Sequence, residues 1–193
     1  MQRSNHLRAG LTVDRLVAAA GDLADAEGLE AVTITAVARH FDVRPASIYS
    51  HLASTDDLRA HITLSALAEL ADRASLALAG RAGKDALVAL ADVYRDYARE
   101  HPGRHAATRL RLDPESAAAS AGPRHAAMAR AVLLGYDLPQ PDQAHAVRLL
   151  GSLVRGFVDL ELGGSFDHSE PDADSSWRRA LDALDTLFRT WGA

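Results

Sequence analysis

The stretch from Thr33 to Leu58 constrains the fold more than any other part of the chain, because it carries three closely spaced helix-start signals. Thr33 is a favourable N-cap, and Pro45 suits the first turn of a helix. Ser54 can cap a third helix, with Asp57 at the reciprocal position of a capping box. Asp42 interrupts the apolar pattern between the first two signals. The stretch therefore predicts a short helix, a tight turn and a second short helix, followed at once by a longer one.

The apolar residues of this stretch recur at the spacing expected for two helices that share one small core. The residues predicted to form that core are Ile34, Val37, Ala38, Phe41, Val43, Ile48 and Leu52. The residues expected to face outward from the second helix are Arg44, Ala46, Ser47, Tyr49, Ser50 and His51. A protruding helix with short polar side chains fits the major groove of DNA, where such side chains read base edges.

The remainder of the chain continues in helical periods. A first helix is expected from the N-cap Thr12 to the stop at Gly28, and a fifth is expected to be closed by Pro102 and Gly103. Further helices are expected near residues 54–79, 86–101, 106–112, 124–134, 141–162 and 177–191, with an interruption at 114–123 and a polar loop at 165–175. The fold class predicted is all-α, with about nine helices.

Composition supports this class and limits the functions. The chain has 193 residues, is 48% hydrophobic but only 5% aromatic, and is rich in alanine and leucine, so aliphatic helix packing is expected. It has no cysteine, which excludes disulfides and suits a reducing cytoplasm. A net charge of -5 argues against generic binding of polyanions, so any contact with DNA must be local.

The helix-turn-helix stretch resembles the DNA-binding domain of the tetracycline-repressor (TetR) family. The matching motifs are Val37-Ala38, Phe41-x-Val43, Ile48-Tyr49-x-His51 and Ser54-Thr55-Asp56-Asp57-Leu58, preceded by Ala19-Ala20 through Glu27-Gly28-Leu29. The resemblance implies a three-helix helix-turn-helix domain at residues 1–53, followed by a helical-bundle domain for ligand binding and dimerisation at 54–193. The partner it implies is double-stranded operator DNA.

The resemblance also implies which residues contact the DNA. Tyr49 and Thr33 would contact phosphates, and the residues nearest the bases would be Thr35, Arg44, Pro45, Ala46, Ser47, Ser50 and His51. The chain departs from the family pattern in having Asp42 where glycine is usual and Thr55 where lysine is common. Arg3, Arg8 and the Thr55 hydroxyl are expected to compensate in part. Two alternatives stay open, because Tyr49 could pack half-buried on the first helix and His51 could cap a helix end.

Two long helices near the C-terminus, Pro141 to Leu162 and Trp177 to Trp191, are the expected dimer-forming elements, since two such pairs can form a four-helix bundle across a two-fold axis. The predicted interface residues are Val147, Gly151, Val154, Trp177, Leu181, Leu184, Phe188 and Trp191. The alternative is that the Trp177 to Trp191 seam packs only within its own subunit.

A pocket for a small-molecule effector, of unknown identity, is expected among the helices of the C-terminal domain. Its predicted residues are Tyr94, Tyr97, His105, Arg109, Met128 and Phe157. The alternative is that these side chains are ordinary core or surface residues. Binding of an effector would favour an arrangement of the dimer in which the spacing of the recognition helices no longer fits the operator.

The function predicted is a homodimeric, sequence-specific transcriptional regulator, a repressor released from its operator by the effector. The alternative is a dimeric helical scaffold for protein interactions that does not bind DNA. An enzyme, a metal site and a cofactor are not expected: Pro102 and Gly103 separate His101 from His105, and Gly163-Gly164-Ser165 lacks the frame of a nucleophile elbow. No stretch has the length of a membrane span, so a soluble cytoplasmic protein is expected.

Overall fold

Helices account for all regular secondary structure in residues 10–191, the part of the chain that the computed structural model describes. The ten α-helices, in chain order, are α1 (Val13–Glu27), α2 (Ile34–His40), α3 (Pro45–Ile48), α4 (Thr55–Leu78), α5 (Gly83–Glu100), α6 (Pro102–Ala107), α7 (Pro114–Ala119), α8 (Gly122–Leu133), α9 (Gln143–Leu162) and α10 (Ala173–Arg189). Short 3₁₀ turns lie at Leu29–Ala31 and Gln140–Asp142. The predicted all-α class is confirmed, with ten helices rather than about nine.

The chain forms two compact units. Among the described residues, the first contains 10–67 and 101–117, and the second contains 68–100 and 118–191. Helix α4 contributes residues to both, and α6 belongs to the first unit. The domain boundary predicted between residues 53 and 54 stays a prediction.

Helix caps fix the start of α1 and α2 in the first unit. The Thr12 hydroxyl accepts from the backbone N–H of Arg15 at 3.3 Å, and the Thr33 hydroxyl accepts from that of Ala36 at 3.1 Å. Both N-caps were predicted, and both are confirmed. The helices enclose one core, whose buried residues include Leu16, Ala20, Val37, Ala38, Ile48, Leu52, Leu58 and Ile62.

Helix α6 packs against α1 at very close range. A Cβ atom added to Gly103 would lie 2.0 Å from the carbonyl carbon and oxygen of Ala24, so only glycine fits here. Next to this contact, the Arg104 guanidinium lies 2.6 Å from Asp25 Oδ2 and 2.6 Å from Asp22 Oδ1, and the Arg104 backbone N–H donates to Asp25 Oδ1 at 2.8 Å. Backbone contact and ion pairs together hold α6 to α1.

Two prolines begin helices at positions where the sequence pattern predicted that a helix ends or is interrupted. Pro102 follows the end of α5 as predicted, but it also begins α6, so the helix expected at 106–112 lies at Pro102–Ala107. Pro114 likewise begins α7 inside the expected interruption. Proline lacks a backbone N–H, which the first turn of a helix does not need. The expectations of a helix at 106–112 and of a helix-free 114–123 segment are therefore wrong.

The second unit has its own core, built from the last part of α4 together with α5, α8, α9 and α10. Its charged centre is Arg95, which is only 5% exposed and contacts Glu161 at 2.6 Å and Asp174 at 2.7 Å. The hydrogen bond from Arg95 lowers the pKa of Glu161 below its usual value, so this carboxylate stays ionised. Arg95 also stacks over the rings of Phe157 and Trp177.

The same core contains most of the residues predicted for the dimer interface. Trp177, Leu181, Leu184 and Phe188 are at most 2% exposed, and Val154 is also buried. Side chains enclosed by their own subunit cannot contact a partner, so the expectation that these five form the interface directly is corrected. The seam packs within its own subunit, as the alternative had it. Val147 and Trp191 are partly exposed and Gly151 is exposed.

Candidate nucleic-acid interface

The helix-turn-helix presents a continuous exposed surface. Ile48 and Leu52, at 0% and 1% exposure, anchor α3 and the turn after it in the core of the first unit. The residues between and before them are exposed: Arg44, Pro45, Ala46, Ser47, Tyr49, Ser50 and His51. Every outward-facing residue predicted from the sequence therefore lies on the surface. We call these seven residues the recognition face.

The turn before the recognition face has a left-handed residue. Asp42 has a φ of 54°, and the N–H of Val43 donates to the Ala38 carbonyl at 3.0 Å across the turn. Glycine adopts this conformation without steric cost, and aspartate is among the few other residues that tolerate it. The turn thus accommodates the side chain for which the sequence departs from the TetR pattern.

Substitutions at Asp42 are expected to change stability in opposite directions. Asp42→Gly should leave the free energy of unfolding equal or raise it by up to about 1 kcal/mol, because the left-handed strain is removed. Asp42→Val should lower it by about 2 kcal/mol, because a β-branched side chain is strained at positive φ. Urea unfolding of the three proteins measures both changes. A valine variant as stable as wild type would show that this turn is not rigid.

A capping box and a hydroxyl contact fix α4 beside α2. The Ser54 hydroxyl accepts from the Asp57 backbone N–H at 3.0 Å, and Asp57 Oδ2 accepts in return from the Ala53 N–H at 2.7 Å. The Thr55 hydroxyl accepts from the backbone N–H of Ile34 at 3.5 Å. The predicted Ser54–Asp57 pair is confirmed, and the Thr55 hydroxyl joins the start of α4 to the start of α2.

The electrostatics of this surface favour an anion. Residues 43–55 contain no aspartate or glutamate, and Arg39, His40, Arg44 and His51 are exposed. None of the ion pairs of the described residues includes Arg39 or Arg44, whereas Arg59 of the same unit pairs with Glu30 at 3.2 Å. Unpaired arginines on a protruding face can displace counterions from DNA phosphates even though the chain is acidic overall.

The structure adds two residues to this surface and bears on the alternative for Tyr49. Arg39 and His40, in the last turn of α2, are exposed and were not predicted as DNA contacts. Tyr49 is 57% exposed, so it is not half-buried on α1. His51 lies in the turn after α3. Thr35 is exposed on α2 and Thr33 is partly buried as its cap, while Arg3 and Arg8 lie outside the described residues.

The residues predicted for an effector pocket lie in both units. His105 and Arg109 belong to the first, where His105 is 8% exposed, and the other four belong to the second. Tyr97 is fully buried, with its hydroxyl 3.4 Å from Glu69 Oε2, and Phe157 packs against Trp177 at 5.0 Å between ring centroids. The pocket made of these six residues stays a prediction.

Among the residues predicted for the effector pocket, Tyr94 has a partly buried hydroxyl group. Its hydroxyl bonds to Nδ1 of His125 on α8, and its burial raises the pKa of the phenol above the usual value, so the hydroxyl remains protonated. The Met128 sulfur, one turn further along α8, accepts from the Ser75 hydroxyl at 3.5 Å.

The described residues contain no cluster of three or more metal-ligating side chains. In the same part of the chain, no helix combines the length and the apolar character that a membrane crossing requires.

Known proteins resemble the chain over nearly all of its length. Residues 87–184 match the family model described as a tetracyclin repressor-like C-terminal domain. The chain is 36% identical over 169 residues to the uncharacterized HTH-type transcriptional regulator Rv0681 of Mycobacterium tuberculosis strain H37Rv, covering 86% of this chain and 77% of that protein. It is 29% identical over 168 residues to the HTH-type regulator YobS of Bacillus subtilis strain 168, covering 87% and 88%.

The fold likewise resembles solved structures. The TetR-family regulator PfmR of Thermus thermophilus superimposes with a TM-score of 0.66, at 22% identity, over 94% of this chain and 97% of that one. At this identity the likeness concerns the fold.

Proposed function

The chain belongs to the TetR family of helix-turn-helix transcriptional regulators, and from this premise we propose that it is a homodimeric repressor whose recognition face reads an operator. The observation that supports the proposal most is the recognition face itself. It is exposed, contains no acidic residue, and is anchored by two fully buried side chains, Ile48 and Leu52.

In this proposal, the residues of the recognition face make different kinds of contact with the DNA. Arg44 is long enough for a bidentate contact to guanine, whereas Ala46 and Ser47 offer a methyl group and a hydroxyl to base edges at close range. Tyr49 and two exposed residues of α2, Arg39 and His40, contact phosphates on either side of the groove. The phosphate contacts set the register, and the shorter side chains then supply the sequence preference.

Removal of the Tyr49 ring is expected to weaken operator binding. Tyr49→Ala should lower the affinity about tenfold, because one hydrogen bond to a charged phosphate is lost. Tyr49→Phe should show most of that loss if the hydroxyl is the contact. Fluorescence anisotropy with a labelled operator duplex measures both. Leu134→Ala, at a 76% exposed leucine of the second unit, is the matched control and should bind like wild type.

A dimer is part of the proposal, because one recognition helix covers one half-site. Because the seam of α10 is buried, we place the partner on the exposed face of α9, with Gly151, Ser152 and Arg155. A Cβ at Gly151 would meet nothing within 4 Å, so the glycine opens this face to the close approach of another helix.

Gly151→Arg is expected to convert the dimer to monomers, because a long charged side chain would stand where the helices approach. The monomer should also lose at least about tenfold in operator affinity, since only one half-site is held at a time. Light scattering gives the oligomeric state. Leu76→Arg, at a 79% exposed position of α4, should leave the dimer intact. A dimeric Gly151→Arg protein would place the interface elsewhere.

We further propose that a small-molecule effector releases the repressor by favouring a state of the dimer whose half-site spacing does not match the operator. The shift is limited by the difference in affinity of the effector for the two states.

A further inference from the structure

A surface depression in the second unit lies at the start of α9, one turn before Gly151, and includes Val147 of the predicted dimer interface. Its volume is about 380 Å³, and it is lined by Arg130, Gln140, Gln143, Ala144, Val147 and Arg148. Arg130 comes from the last turn of α8, Gln140 from the 3₁₀ turn, and the other four from the start of α9. A volume of this size falls within the range of small-molecule sites, roughly 300–1,000 Å³.

The two arginines of the depression are not neutralised. Neither Arg130 nor Arg148 takes part in an ion pair among the described residues. Other arginines of the same unit do: Arg95 pairs with Glu161, and Arg124 pairs with Asp72 at 2.7 Å. In a chain of net charge -5, acidic partners are plentiful, yet no aspartate or glutamate lines this depression.

The remaining lining residues of the depression are uncharged. The amides of Gln140 and Gln143 add uncharged donors, and Ala144 and Val147 add apolar lining. Guanidinium groups bind carboxylates and phosphates through paired N–H donors, and an apolar lining favours a hydrocarbon body on the same molecule. Because the lining offers positively charged donors and no carboxylate, the depression favours an anion over a cation or a neutral molecule.

We propose that this depression binds a small amphipathic oxyanion, a carboxylate or phosphate ester with an apolar body, with Arg130 and Arg148 holding the charged group and Ala144 and Val147 contacting the body. The site lies wholly within the second unit. Binding at this site requires neither DNA nor any of the six residues predicted for the effector pocket. Its test therefore does not depend on the operator-binding proposal.

Isothermal titration calorimetry of the full-length protein without DNA tests the site with four probes. Octanoate and octyl phosphate carry both the anion and the apolar body, octanol lacks the charge, and acetate lacks the body. Octanoate, octyl phosphate or both should bind measurably more tightly than octanol and acetate. The tighter of the two charged probes identifies the head group that the arginines prefer.

Arg130→Gln and Arg148→Gln should each weaken binding of the preferred probe about tenfold, because a charge-assisted hydrogen bond is lost. Arg179→Gln, at another exposed arginine of the second unit, is the matched control and should bind like wild type. All three changes lie on the surface, and thermal unfolding checks that the fold is kept. The proposal is overturned if neither charged probe binds, if octanol binds equally well, or if both pocket variants retain wild-type affinity.

Discussion

Replacing Ala46 with glutamate is expected to lower operator affinity at least about a hundredfold, without changing the stability of the protein. Ala46 is exposed in the four-residue helix α3, so a longer side chain meets no protein atom in the folded state. In the proposed complex its carboxylate would face the bases and phosphates at the centre of the recognition face. Like charges brought together at an interface cost several kcal/mol, and each 1.4 kcal/mol is about tenfold in affinity.

Two further variants separate charge from size. Ala46→Gln has the bulk of glutamate without its charge and should bind more tightly than the glutamate variant. Ala127→Glu adds the same charge to an exposed alanine of α8 and should bind like wild type. Anisotropy titrations at fixed salt compare the four proteins, and urea unfolding checks their stability. Wild-type affinity in Ala46→Glu would exclude α3 as the helix that enters the groove.

Gly103→Ala is expected to lower the free energy of unfolding by about 3 kcal/mol, as forced overpacking of a close contact does. The added methyl group would lie 2.0 Å from the carbonyl of Ala24, a backbone atom that cannot move without shifting α1. Gly21→Ala probes the same helix pair more gently, because its Cβ would meet the Arg104 side chain at 2.6 Å. That side chain can shift by loosening its ion pairs with Asp22 and Asp25, whereas a backbone carbonyl cannot. A loss of about 1 kcal/mol is expected there.

Gly156→Ala is the control for these two variants. A Cβ at this position in α9 meets nothing within 4 Å, so alanine should raise the free energy of unfolding by about 0.5–1 kcal/mol through its better helix propensity. Guanidinium unfolding at one protein concentration ranks the variants. If Gly103→Ala is as stable as wild type, α6 is not packed on α1 as closely as the structure has it.

The local part of the fold could be predicted from the sequence, because its signals act over three or four residues. Thr12 and Thr33 cap the helices they were expected to cap, and Ser54 and Asp57 form the expected pair. The buried and exposed positions around Ile48 followed from helical period alone. Such signals need no knowledge of which distant element packs against the helix.

Features that depend on distant contacts could not be predicted in this way. The stripe from Trp177 to Phe188 is amphipathic, but the pattern does not say whether its apolar face meets the same subunit or a partner. Pro102 can end one helix and begin the next. The contact between Gly103 and Ala24 that places α6 on α1 joins residues far apart in the sequence. Arg130 and Arg148 come together only because α8 packs on α9.

In the proposed complex, a dimer presents two recognition faces to one operator. Selection of bound duplexes from a random DNA pool by the wild-type protein, followed by sequencing, shows whether the two faces read DNA together. The enriched sites are expected to have two-fold symmetry, with half-site centres about 10 base pairs or a multiple of that apart, and affinity should fall steeply with salt. Absence of any enriched sequence, enriched sites without two-fold symmetry, or binding that does not change with salt would show that a dimer does not read an operator through two recognition faces.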